Sequence, residues 1–95
     1  MMSAPDHLAE LRAMRVDLAA VIETTPDPIL AAEAEELAAA TGGTLVRPTC
    51  GGWGPHEFSL SIWGLNGQHP TLHGALRDWA KAARREAAAA GEEAA

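Results

Sequence analysis

The apolar residues at the start of the chain recur at steps of three and four, which is the spacing of one helical face. The face comprises Leu8, Leu11, Met14, Leu18 and the pair Val21/Ile22. This pattern predicts a first helix that is capped by Ser3 and buries this face. Residues 24–28 contain two prolines, which end the helix because proline lacks an amide donor.

A second helix is predicted to begin at once, with Thr25 or Asp27 as its cap and a proline in the first turn. Its apolar face is thinner and rich in alanine, which would allow a close approach to a neighbouring helix. The face comprises Leu30, Ala34, Leu37 and Ala38. Gly42 and Gly43 supply a left-handed helix end.

Two strands are predicted next. Residues 44–50 are short and β-branched, and Pro48 confines them to a sheet edge. After a glycine-rich loop at 51–55, residues 56–65 alternate in polarity: Phe58, Leu60 and Ile62 lie on one face, and Glu57, Ser59, Ser61 and Trp63 on the other. The dipeptide Asn66-Gly67 predicts a turn, with no strand after it.

The last predicted helix spans residues 72–90, capped by Thr71. Its apolar face comprises Leu72, Ala75, Leu76, Trp79 and Ala83. The predicted fold class is α+β, in the order α-α-β-β-α, with a two-stranded antiparallel hairpin packed against three helices. Residues 1–90 form one domain and residues 91–95 a flexible acidic tail. Because strand 44–50 has a free edge that can pair with a second copy of the chain, homodimerisation is a further expectation.

Charge and composition narrow the class of protein. The net charge is −6, and residues 1–43 account for it, which argues against nucleic acid as a partner. One cysteine excludes an internal disulfide. No apolar run predicts a signal peptide or a membrane span, so a cytoplasmic location without membrane association is expected.

Residues that favour specific chemistry are concentrated between positions 48 and 73. Cys50, His56, His69 and His73 have a spacing that partly matches a zinc site, although a second cysteine is missing. The alternative is a set of polar surface residues that bind no metal. Cys50 is also a candidate nucleophile, but no catalytic motif accompanies it, so neither an enzyme nor a cofactor is expected.

Two charged features each have two interpretations. The stripe Arg77, Lys81, Arg84 and Arg85 either binds phosphates or an acidic partner surface, or is a solvated face that pairs with carboxylates of its own chain. The acidic residues of the first two helices either imitate nucleic acid or form a solvated helical surface. They comprise Asp17, Glu23, Glu33, Glu35 and Glu36.

Tryptophan provides the strongest indication of a binding surface, because it is common among residues that dominate protein interfaces. Trp53 lies in the glycine-rich loop, and Trp63 is either exposed on its strand or covered as part of the core. The sequence therefore predicts a small non-catalytic protein-binding module, an inhibitor or adaptor of the kind that mobile elements encode. Its predicted surface is Trp53, His56 and Trp63, with Arg77 and Lys81 at the rim. The alternative is a zinc-stabilised module that binds nucleic acid or protein.

Overall fold

The computed structural model of the chain describes residues 4–49 and 56–94. The elements there are α1 Ala4–Thr24, α2 Asp27–Thr41, β1 Thr44–Val46, β2 Phe58–Ile62, β3 Leu65–His69 and α3 Leu72–Ala94. The α+β class is confirmed, but the antiparallel sheet has three strands, in the order β1-β2-β3, where two were predicted.

The third strand was missed because the turn lies earlier than its strongest sequence signal. Trp63 and Gly64 form a two-residue turn between β2 and β3, with φ angles of 48° and 80°. Positive φ at both turn positions matches the twist of the two flanking strands. The turn predicted at Asn66-Gly67 is wrong, because Asn66 pairs with Ser61 and Gly67 with Leu60 inside the hairpin.

Helix α3 crosses the hairpin at a very short distance beside Gly67, which is buried. A Cβ atom at this position would collide with the carbonyl oxygen of Ala75 and lie 2.5 Å from the backbone nitrogen of Trp79. Only glycine lets the two backbones approach so closely. Trp79 is completely buried there, and its indole Nε1–H donates a hydrogen bond to the carbonyl of Ile62 (3.1 Å).

The helix boundaries agree with the sequence at the end of α1, the end of α2 and the start of α3, but not at the start of α2. Thr71 caps α3, since its hydroxyl accepts a hydrogen bond from the amide of Gly74 (3.1 Å). Gly42 ends α2 with a φ of 70°. The cap predicted for α2 is wrong: Pro26 holds that position without a side-chain bond, because the Thr25 hydroxyl donates to the carbonyl of Val21 and Asp27 pairs with Arg77.

Helix α1 packs against α3 with a face that overlaps the predicted one only in part. Ile22 is buried and Leu18 packs half-buried against the core, as predicted, but the other buried residues are Arg15 and Ala19, whereas Leu8, Met14 and Val21 are exposed. Small residues accompany this shift, because Ala19 lies in the same buried cluster as the α3 alanines at positions 80 and 83. Alanine allows two helices to approach closely, and a wider stripe of large side chains remains outside the contact.

Other sequence predictions for the fold have mixed outcomes. Leu60 and Ile62 are fully buried, as predicted, while Phe58 is half-buried. Helix α3 continues through Ala94 into the predicted tail, whose flexibility stays a prediction. Ser3, the predicted cap of α1, lies outside the described residues. Among the described residues, no helix has both the length and the apolar composition to cross a membrane.

Because of the close crossing at Gly67, an alanine substitution there should be more destabilising than one at Gly42. Gly67→Ala should lower the free energy of unfolding by about 3 kcal/mol or more, because backbone atoms cannot move away from the new methyl group. Gly42→Ala meets no atom within 4 Å and should cost only the left-handed backbone strain, about 1–2 kcal/mol. Urea unfolding of both variants measures the difference. Equal losses would show that the crossing tolerates a side chain.

Candidate functional site

Trp63 lies in the turn of the β2–β3 hairpin and not on the exposed strand face. Its side chain is half-buried and packs against the core, and its ring centroid is 6.5 Å from that of Trp79 in an edge-to-face arrangement. Its carbonyl oxygen accepts hydrogen bonds from Arg15 Nε (3.1 Å) and Nη2 (2.6 Å). Its position therefore indicates a structural contribution, and its predicted role in binding stays a prediction.

Arg15 joins three elements that are distant in sequence. Besides the carbonyl of Trp63, its guanidinium lies 3.5 Å from a carboxylate oxygen of Glu86 on α3. The residue is only 9% exposed, so these contacts satisfy a charge that would otherwise be costly to bury. Sequence reasoning missed Arg15, because an arginine within an apolar helical stripe is ordinarily assigned to the solvent-facing side.

A shallow cleft of about 290 Å³ lies where β3 leads into α3, at the other end of the hairpin from Trp63. It is lined by Asp27, His69, His73, Gly74, Arg77, Asp78 and Lys81. It thus brings together two predicted rim residues, Arg77 and Lys81, with two of the candidate metal ligands. Trp63 does not line it, so among the described residues Trp63 is separated from Arg77 and Lys81.

Most polar groups of the cleft already have partners within the chain. Arg77 Nε donates to Asp27 Oδ1 (3.0 Å), and Arg77 Nη2 also donates to the carbonyl of Thr25 (2.9 Å). Asp78 accepts a bond from the amide of Gln68 (2.9 Å), and His69 Nδ1 accepts one from the amide of Thr71 (3.1 Å). The two cations and two carboxylates that line the cleft cancel in charge, which gives it little attraction for an anion.

Two of the four cations of the predicted basic stripe, Arg77 and Arg84, form ion pairs within the chain. The hydrogen bond from Arg77 lowers the pKa of Asp27, and the bond from Arg84 lowers the pKa of Glu23 on α1. The reciprocal bond raises the pKa of Arg84. Pairing within the chain is therefore the observed state of Arg77 and Arg84. Lys81 is exposed and has no ion pair within residues 4–49 and 56–94.

The acidic residues of α1 and α2 do not form a continuous row of unpaired carboxylates. Glu23 pairs with Arg84, and Glu35 pairs with Arg47 beyond β1. Carboxylates that are neutralised by their own chain are poor imitations of a phosphate backbone. This arrangement favours the solvated-surface interpretation of the acidic half.

The candidate metal ligands divide between described and undescribed segments. Cys50 and Trp53 lie outside the described residues, so the zinc, nucleophile and loop-aromatic hypotheses that rest on them stay predictions. His56 is exposed just before β2. Across the described ranges, no three or more His, Cys, Asp or Glu residues are grouped so that they could hold a metal ion.

The largest array of exposed apolar side chains on one described element lies on α1. Met14 is 46% exposed and Val21 is 54% exposed. Half-buried Leu11 and Leu18 lie next to them on the helix, so the four residues form a continuous band, here called the α1 stripe. Leu18 also packs against the core, so the inner edge of the stripe is partly covered. The sequence pattern identified these residues as one face but did not show that Met14 and Val21 remain exposed.

The contacts of Trp63 predict that this residue contributes to stability. Trp63→Ala should lower the free energy of unfolding by about 2 kcal/mol, because it removes a half-buried ring and its contact with Trp79. Thermal and urea unfolding measure the loss. Val46→Ala is the control, since Val46 is apolar, 41% exposed and distant from the turn, and should change stability by less than about 0.5 kcal/mol. An unchanged midpoint for Trp63→Ala would show that the ring is not part of the core.

Comparison with known proteins identifies no relative: no family model, curated protein or solved structure matches this chain.

Proposed function

We propose that this protein is a small non-catalytic module that binds another protein and acts as an inhibitor or adaptor by masking a surface of its partner. The observation that carries the proposal is the exposed α1 stripe. Single exposed apolar residues are normal on protein surfaces, whereas an aligned set is typical of an interaction site. The stripe has the 3-4-3 spacing of residues that face a partner helix.

The packing of α1 supports this proposal. Among the described elements, α3 is the one against which α1 packs extensively, and it takes the face of Ala19 and Ile22. The side that carries Met14 and Val21 is left for a partner. Full burial of an exposed apolar side chain of this size contributes about 1.5–3 kcal/mol. Met14 and Val21 are 46% and 54% exposed, so covering the remainder would contribute roughly half of that for each residue. Two such residues, with Leu11 and Leu18 beside them, are enough to anchor a modest interface.

The residues predicted from sequence have a smaller part in this proposal. Arg77 is occupied by Asp27, and Trp63 packs against the core. His56 and Lys81 are exposed and remain candidates for contacts at the rim of an interface. The centre of the proposed binding surface therefore moves from the tryptophans to α1.

The proposal predicts that polar substitutions on α1 abolish partner binding without unfolding the protein. Met14→Gln/Val21→Gln removes the exposed apolar groups and retains helix-compatible residues, so the midpoint of thermal unfolding should change by only a few degrees. Affinity capture from the cells that produce the protein should then lose the partner recovered with the wild type. The matched control is Val46→Gln, which makes the same kind of change on β1. Recovery of the same partner at the same yield with the double variant would refute the assignment of binding to α1.

A further inference from the structure

The α1 stripe has the periodicity of a coiled-coil seam. Leu11, Met14, Leu18 and Val21 follow steps of three, four and three, so they occupy alternating a and d positions of two heptads. The seam covers about 15 Å of helix at 1.5 Å per residue. A surface of this length and shape matches one amphipathic helix laid along α1.

The two edges of the stripe differ in charge and in accessibility. Glu10 and Asp17, at the positions beside the seam on one edge, are exposed and have no ion pair within the described residues. On the other edge, Arg15 and Ile22 are buried against the hairpin turn and α3. A helix that docks on the stripe therefore meets carboxylates along its accessible edge.

This charge pattern disfavours a second copy of the chain as the occupant. Two antiparallel copies of α1 would bring the Glu10 and Asp17 edge of one against the same edge of the other, which is repulsive. A parallel pair would need Arg15 to face the partner, but Arg15 is held by Trp63 and Glu86. Each copy also carries a net charge of −6.

We infer that the α1 stripe binds a basic amphipathic helix of a different protein. The apolar seam of that helix covers Met14 and Val21, and its lysine or arginine residues lie beside Glu10 and Asp17. This inference rests on the proposed protein-binding function and adds the chemistry of the partner. Flanking charges of this kind contribute more to specificity, the choice between one helix and another, than to the overall affinity.

Three synthetic three-heptad peptides with the same leucine seam test the inference. Their flanking positions carry lysine, glutamine or glutamate, and binding is measured by fluorescence anisotropy. The lysine peptide should bind about tenfold more tightly than the glutamate peptide, with glutamine between them, because two flanking pairs change from attraction to repulsion. The preference should fall sharply at about 1 M salt, where exposed charges are screened.

Charge-reversal variants distinguish charge complementarity at the α1 stripe from a general attraction of the basic peptide to an acidic protein. Glu10→Lys/Asp17→Lys should invert the preference, so that the glutamate peptide binds more tightly. Glu33→Lys/Glu36→Lys makes the same change in net charge on exposed positions of α2 and should leave the order of affinities unchanged. Inversion in both variants, or in neither, would overturn the inference.

The remaining outcomes distinguish this inference from the proposed function. If no peptide binds, or all three bind equally, while partner capture still depends on Met14 and Val21, the basic-helix partner is wrong and the binding function stands. If capture does not depend on these residues, the proposed function fails as well. A dimer seen by sedimentation and abolished by Met14→Gln/Val21→Gln would identify a second copy as the occupant and overturn the inference.

Discussion

The close crossing of α3 over β3 at Gly67 is the constraint on which the described structure depends. Because Gly67 has no side chain, the backbone of α3 reaches the strand, and Trp79 fills the space beside it. The buried indole then bonds to the carbonyl of Ile62, at the end of β2. One helix residue thereby fixes the position of α3 relative to both strands of the hairpin, and Trp79 lies within the buried core cluster.

Helix α1 is attached to this centre by two different kinds of contact. Ala19 and Ile22 bury apolar surface within the core cluster, while Arg15 bridges the Trp63 carbonyl and Glu86. Both contacts use the same side of the helix. Met14 and Val21, on the opposite flank of its apolar pattern, are consequently exposed. Stability and the proposed binding activity therefore depend on largely different residues of one helix, with Leu18 shared between the core and the stripe.

The sequence predicted the elements whose signals are local. Thr71 and Gly42 mark helix ends because capping and left-handed geometry involve only neighbouring residues. The hairpin turn was not predictable in this way, because tryptophan rarely adopts a positive φ and Asn66-Gly67 is a stronger turn signal. Gly67 instead serves a contact with a helix that follows later in the chain. Only the tertiary structure reveals this role.

The α1 stripe, too, was only partly predictable from the sequence. The periodicity of α1 identified Met14 and Val21 as members of an apolar stripe, yet periodicity cannot say how much of a wide stripe a neighbour will cover. That depends on the small residues of the α3 contact and on the burial of Arg15. The two tryptophan candidates also depended on context: Trp63 packs against the core, and Trp53 lies outside the described residues.

The central claim is that the outward side of α1 is a binding surface for a basic helix. Its most direct test is a titration of the isotope-labelled protein with the lysine-flanked peptide, followed residue by residue through backbone amide NMR signals. The account predicts shifts concentrated between Glu10 and Val21, with little change at the cleft residues His69 and Lys81. Shifts centred on that cleft or on the outer face of the sheet, with α1 unaffected, would contradict it.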